Sequence, residues 1–234
     1  YAIDREGIVH GFLEGHGTVM HAPFPPVSWA FDESVVNTYP FSPDKAKEIL
    51  DEAGYIDVTG DGWREDPNGN QLVLRLDYPT GNRTREQSAP YIQEALAEVG
   101  IRIDLRSPRD AGSHFDAIAA DEQGMDLYLA GWSLATADPD PLGIWDTTTP
   151  FNYTRWNDPR SQELMEAAVK TPEAFDQDYR ADLYKQWAAY VSEQLPYVFL
   201  YSANEIYAYN SKIQNVIQGP TGITRDIHLW YLEQ

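Results

Sequence analysis

Two stretches of strict alternation with one helix between them constrain this chain more than any other feature. Leu72, Leu74 and Leu76 alternate with Val73, Arg75 and Asp77, the period of a strand. Ile101, Ile103 and Leu105 alternate with Arg102, Asp104 and Arg106 in the same way. Between them Thr84 and Gln87 have capping-box spacing, and Tyr91, Ile92, Ala95, Leu96 and Val99 form one helical stripe that Gly100 ends. Strand, helix and strand with connections this short predict two parallel strands joined by a right-handed crossover. A weaker helical pattern over 110–121 leads to a third strand of the same direction at 126–131. The loops after the strands, at 78–81, at 107–108 and from Gly131 and Trp132 onward, then open at one edge of the sheet. Ligands of open α/β sheets sit beyond the carboxyl ends of strands. Function is therefore sought first in the segment 127–141.

The flanking segments carry clear punctuation. A short helix opens the chain, and the Pro-rich run 21–26 reads as an extended apolar loop over the surface or lining a cleft, because proline removes a donor and constrains its predecessor. Ser42 and Pro43 start a helix with Ala46, Ile49, Leu50 and Ala53 on one face, and Gly54 stops it. Asp158 and Pro159 start another, with Leu164, Met165, Ala168 and Val169 inward. A longer helix carries Tyr179, Leu183, Trp187, Tyr190 and Val191 and ends before Pro196. Residues 197–201 read as a buried strand and 206–209 as a further one, followed by an irregular end. No linker-like stretch interrupts the chain, which predicts one compact unit over 1–234.

The formal net charge of −20 argues against nucleic acid and anionic membrane surfaces, whose phosphates demand clustered Lys and Arg. Absence of cysteine excludes disulfides, thiol nucleophiles and Cys-ligated metals. No apolar run reaches the roughly 18 residues of a membrane span. The start, Tyr1 to Glu6, has no signal-peptide pattern and no Met, and reads as part of something longer.

Catalytic chemistry finds no support. His10, His16, His21, His114 and His228 show no i, i+4 pair, no Gly-x-Ser-x-Gly elbow occurs, and no Gly-rich phosphate loop follows a strand. Neither catalytic residues nor a cofactor nor a metal site is expected. Asp57, Thr59, Asp61 and Gly62 match the first half of a calcium loop, but the twelfth position is Asn68 rather than a bidentate acid. A tight Asp- and Gly-rich turn gives the same letters. Aromatics are abundant. Trp132, Trp145, Phe151, Tyr153 and Trp156 stand in a loop-rich segment beyond a strand end, where they suit a binding wall.

Several blocks in order carry a resemblance. They are residues 1–5, the Pro-rich loop at 22–26, and 39–43 with 46–50 and Ala53-Gly54. Asp61-Gly62 through Gly69, 92–101, 126–132, Tyr153 and 179–200 complete the series. The chain resembles, over essentially its whole length, the C-terminal lobe of the extracytoplasmic solute-binding proteins of peptide ABC importers, the dipeptide/oligopeptide-binding solute-binding protein family 5. The Gly-Trp-Ser-Leu and Asp-Pro-Asp-Pro stretches look most like the Gram-positive oligopeptide binders.

The resemblance implies an α/β, type II periplasmic-binding-protein-like lobe with a β-α-β-α-β core and flanking helices, and a parent protein whose N-terminal lobe is absent here. It implies a monomeric, non-enzymatic receptor outside the cytoplasmic membrane, at the cell surface as a lipoprotein or in the periplasm. Its partners would be an oligopeptide ligand and the importer's permease subunits. The expected ligand contacts are Trp132, Ser133 and Leu134 on peptide backbone, with Phe151, Asn152 and Tyr153 lining the same wall. In some relatives an Asp shortly after the Trp holds the peptide's free amine. Here the third residue after Trp132 is Ala135, and Asp138 or Asp140 are the candidates to take that place, although Pro139 and Pro141 equally suit a structural turn. Sugars, nickel complexes, glutathione and heme are alternative ligands within the family. A hydrolase and an adhesive module are the readings outside it.

Overall fold

Side-chain caps decide where the helices begin. Asp4, Ser42, Asn82, Asp110, Asp158 and Asp176 each accept a hydrogen bond from a backbone N–H in the first turn they precede, a contribution of about 1 kcal/mol apiece. The computed structural model describes residues 1–135, 137–219 and 222–233. Its helices are α1 (Arg5–Phe12), α2 (Pro43–Glu52), α3 (Arg83–Ala97), α4 (Ala111–Ala119), α5 (Leu142–Trp145), α6 (Pro159–Lys170) and α7 (Gln177–Gln194). Its strands are β1 (Gly17–Val19), β2 (Val73–Asp77), β3 (Arg102–Leu105), β4 (Leu127–Tyr128), β5 (Tyr201–Ala203), β6 (Ile213–Gln214) and β7 (Tyr231–Leu232).

The chain divides into two compact units, where the sequence predicts one. Tyr1–His16 with Thr38–Trp132 form the first, and Gly17–Asn37 with Ser133–Gln234 the second. The crossings fall between adjacent residues with no Gly- or Ser-rich linker, so composition carries no trace of them.

In the first unit, β2 lies between β3 and β4, and both pairings are parallel, as the alternation predicts. Helix α3 begins at Arg83 rather than at the Thr84–Gln87 box, because Asn82 Oδ1 accepts from Arg85 N at 3.0 Å and Glu86 Oε1 accepts from Gly81 N at 2.7 Å. Strand β4 is shorter than the apolar run 126–131. It pairs Leu127 with Leu76 and Tyr128 with Asp77, and after Leu129 N donates to Asp77 O at 2.9 Å β2 has ended and offers no further partner. Ile8, Val9, Leu76, Ala89, Ile92, Val99, Ile103 and Ile118 fill the core of this unit.

The second unit is held by aromatic packing around α6 and α7. Trp187, Tyr184, Ala188 and Val191 are fully buried against Leu164, Met165 and Ala168. The Pro-rich loop does not lie over the surface. It sends Ala22 and Phe24 into this core, with Phe24 5.0 Å from the Tyr184 ring and 5.3 Å from Trp187. Trp145 is core too, 4.3 Å from Tyr197 and 5.7 Å from Trp187, because α5 points it inward rather than at a ligand wall. Residues 197–200 are half-buried or exposed and lie outside any strand; Leu200 O accepts from Met20 N at 3.2 Å, and the strand β5 begins at Tyr201, antiparallel to β1. Residues 206–209 form no strand and are exposed. In the irregular end, β6 and β7 pair antiparallel.

Candidate functional site

The sheet of the first unit ends in a closed charge network. Asp77, the last residue of β2, is only 1% exposed. Arg75 grips it with two prongs, Nε to Oδ2 at 2.6 Å and Nη2 to Oδ1 at 2.8 Å. Glu122, after α4, accepts from Arg75 at 2.7 Å and from both prongs of Arg109 at 2.7 and 2.6 Å. The hydrogen bonds from Arg109 and then Arg75 hold the Glu122 carboxyl at a pKa of about 2. This network pins the loops that follow β2 and β3 and the turn that enters β4.

Two further groups meet at the end of β4. His114 of α4 is fully buried, and its Nε2 donates to Leu129 O at 2.9 Å. Burial pushes its pKa down, so the ring is neutral and Nδ1 remains a buried acceptor without a hydrogen-bond partner. A Cβ on Gly131 would lie 2.5 Å from Arg85 Nη2. Glycine at 131 is thus what lets the guanidinium lie across the strand end. Arg85 makes no side-chain hydrogen bond or ion pair among the described residues. Trp132, the last residue of this unit, is half-buried.

The remaining candidates belong to the second unit. Ser133 and Leu134 are exposed. Thr136, inside the same loop, lies outside the described residues. Asp138 is 78% exposed at its side chain yet already paired, Arg180 Nη1 donating to its Oδ1 at 2.7 Å. Asp140 Oδ1 accepts from Leu142 N at 2.9 Å, two residues ahead in the chain, where α5 begins. Asp138 is thus tied to α7 and Asp140 to the backbone at the start of α5. Phe151, 48% exposed, meets Tyr153 edge to face at 6.2 Å. Asn152, between them, is 9% exposed, and its Nδ2 donates to Trp156 O at 2.9 Å. The structure brings Phe151 and Tyr153 together as an aromatic pair and turns Asn152 into the fold.

Sequence reading passed over Arg85 and Arg180. The first stands in the opening turn of α3, just after the end of β2, where an arginine signal was available. The second is 42 positions from its Asp138 partner, and no local pattern reveals it.

Asp57, Asp61 and Glu65 have carboxylate oxygens within 4.8 Å of one another, the group among the described residues most able to share a cation. Their oxygens are engaged by the loop itself. Asp57 accepts from Gly60 N at 2.7 Å and Gly62 N at 2.9 Å, and Asp61 from Trp63 N at 2.9 Å. Glu65 accepts from Val58 N at 2.8 Å and from the Thr59 hydroxyl at 3.1 Å. That is a hydrogen-bonded turn.

Residues 1–153 match the family described as bacterial extracellular solute-binding proteins, family 5 Middle, and the chain belongs to that family. Its members are substrate-binding proteins rather than enzymes. The oligopeptide-binding protein AppA of Bacillus subtilis is 29% identical over 99% of this chain and 42% of its own length. The heme-binding protein A of Haemophilus influenzae is 27% identical over 95% of this chain and 38% of its own. The structure of Bacillus subtilis AppA in complex with a nonapeptide superposes with a TM-score of 0.83 at 28% identity, covering 100% of this chain and 46% of AppA. The chain therefore spans less than half the length of these relatives. The fold is periplasmic-binding-protein-like, a parallel sheet with flanking helices. No helix among the described residues is long and apolar enough to cross a membrane.

Proposed function

We propose that this chain is the C-terminal portion of a two-lobed extracytoplasmic receptor that encloses oligopeptides and delivers them to the permease of an ABC importer. The observation that carries this reading is the similarity to AppA along the whole chain, in sequence and in fold, AppA being described with a nonapeptide bound. The strand-end position of Gly131 and Trp132 supports it, since parallel sheets place ligands there. In this reading Trp132, Ser133 and Leu134 meet peptide backbone, and Phe151 and Tyr153 add aromatic wall. Asp138, Asp140 and Asn152 shape the loops behind them. The receptor acts as a monomer and is anchored as a lipoprotein or free in the periplasm.

The test is to purify the full-length protein natively and identify, by denaturing mass spectrometry, the small molecules that leave with it. A ladder of peptides is expected, and its length range reads out how permissive the site is. A single sugar, heme or metal complex overturns the peptide assignment. Trp132→Ala in the full-length receptor should weaken peptide binding about ten-fold, the loss of one well-placed aromatic contact, without changing its unfolding midpoint. Unchanged affinity by calorimetry removes Trp132 from the site.

A further inference from the structure

We propose that Arg180 is the positioning residue of the loop around Pro139, and that Asp138 serves this arginine rather than the ligand. The inference rests on the peptide-receptor reading above.

Arg180 rises from the first turn of α7. Its Nη1 donates to Asp138 Oδ1 at 2.7 Å, and its Nη2 donates to Pro139 O at 2.8 Å and to the Tyr184 hydroxyl at 2.8 Å. That hydroxyl in turn donates to Pro139 O at 2.6 Å. The guanidinium lies 5.4 Å from the centroid of Trp29 and 5.4 Å from that of Tyr184. Trp29 closes the arrangement, its Nε1 donating to Ala137 O at 3.1 Å. Two carbonyls of the loop, at 137 and 139, and the carboxylate of the residue between them are therefore all held by side chains from elsewhere in the unit.

The chemistry requires arginine. A planar fork reaches carboxylate and carbonyl together and stacks on aromatic faces, which a lysine ammonium cannot do. The arrangement also has a cost, because Arg180 Nε is buried without a partner. Spending a guanidinium in this way on one exposed aspartate has little value for stability alone, since exposed ion pairs contribute little. It has value where the loop's backbone must hold one shape, and this is the loop that continues from Trp132, Ser133 and Leu134. The pairing has a second consequence. A peptide amine arriving at Asp138 would meet a carboxylate whose Oδ1 already accepts a charge-assisted hydrogen bond from Arg180, so this chain's relation to the peptide amine differs from that of a receptor whose aspartate has no arginine beside it.

The experiment uses the full-length receptor, with equilibrium dialysis and mass spectrometry of a degenerate nonapeptide library carrying free or acetylated amines. Arg180→Gln, Arg180→Lys, Asp138→Asn and the Arg180→Gln/Asp138→Asn double variant are compared. Hydrogen exchange at the Ala137 and Asp138 amides is measured alongside. Arg180→Gln should weaken both libraries about ten-fold, leave their ratio unchanged and speed exchange at 137 and 138, with Arg180→Lys giving no rescue. Asp138→Asn, on an exposed side chain that leaves folding intact, should shift affinity in the same direction, and the double variant should be no worse than Arg180→Gln. Losses that add, or an Asp138→Asn loss confined to the free-amine library, make Asp138 a ligand contact and overturn the proposal. Unchanged exchange in Arg180→Gln overturns it too, with peptide binding left standing. If the native receptor holds neither library, the peptide reading falls and this proposal falls with it.

Discussion

The two units solve the same problem with different materials. The first is held by regular backbone, three parallel strands and capped helices, and closes its sheet with an ion network around the buried Asp77. The second has short antiparallel pairs of strand and long irregular stretches, and depends on aromatic side chains converging on Trp187 and Tyr184. Regular structure satisfies its own backbone, so polar side chains are released for charge networks. Irregular structure must be pinned by side chains, and large aromatic rings bury the most area per residue.

The largest test of that difference is Trp187→Ala. Its side chain is fully buried, its Nε1 donates to the Ser161 hydroxyl at 2.9 Å, and Phe24 and Trp145 rest on it. The loss should be about 4 kcal/mol by urea denaturation, with the second unit unfolding first. Asp77→Asn comes next, at about 3 kcal/mol, because it leaves Arg75 and Arg109 facing a neutral amide in a buried place. If Asp77→Asn costs nothing, the network is ornamental and the comparison breaks.

Acid should separate the units further. The His114 pKa is lowered by burial, so the native ring is neutral while the unfolded one takes a proton. Stability of the first unit is complete above the unfolded value near 6.5 and declines as pH falls below it. Protection factors of amides in α4 and β4, corrected for the intrinsic slowing of exchange in acid, should fall between pH 7 and 5, those of α6 and α7 should not, and His114→Gln should flatten the response. A second loss follows in stronger acid. Glu122 and, in the second unit, Asp146 have folded pKa values of about 2, set by arginines in one case and first by Thr148 in the other. Each contributes stability that is full above the unfolded carboxylate value and lost as pH falls toward 2. There the two units should weaken together.

Gly131→Ala is the smallest and sharpest change. A methyl 2.5 Å from Arg85 Nη2 pushes aside the far end of a flexible side chain, so stability should move by less than about 1 kcal/mol. The displacement is read from the Arg85 Nε–H resonance. An unmoved resonance refutes the close approach.

Legibility in the sequence follows the same division. Ser42, Asp158 and the alternation at 72–77 mark elements whose cause lies within a few residues, and they stand where the pattern places them. Thr84 and Gln87 misled by a short distance because Asn82 supplies a competing cap. Proline excludes regular structure from the run 21–26, which predicts a loop over the surface or lining a cleft, and nothing local says that Phe24 turns into a core built from α7. Asp138 has the same history. Its flanking prolines announced a turn, but its partner lies on a helix far along the chain.

By itself, the sequence determined the shared direction of the first unit's strands, the helix starts at Ser42 and Asp158 and the family resemblance, since period, caps and ordered blocks are local or cumulative signals. Tertiary structure alone decided that the chain forms two units, that Trp145 is core, and that Asp138, Asp140 and Asn152 each hydrogen-bond within the fold. Those outcomes depend on which distant side chain reaches a given atom first, and long-range contact of that kind leaves no period in a single chain.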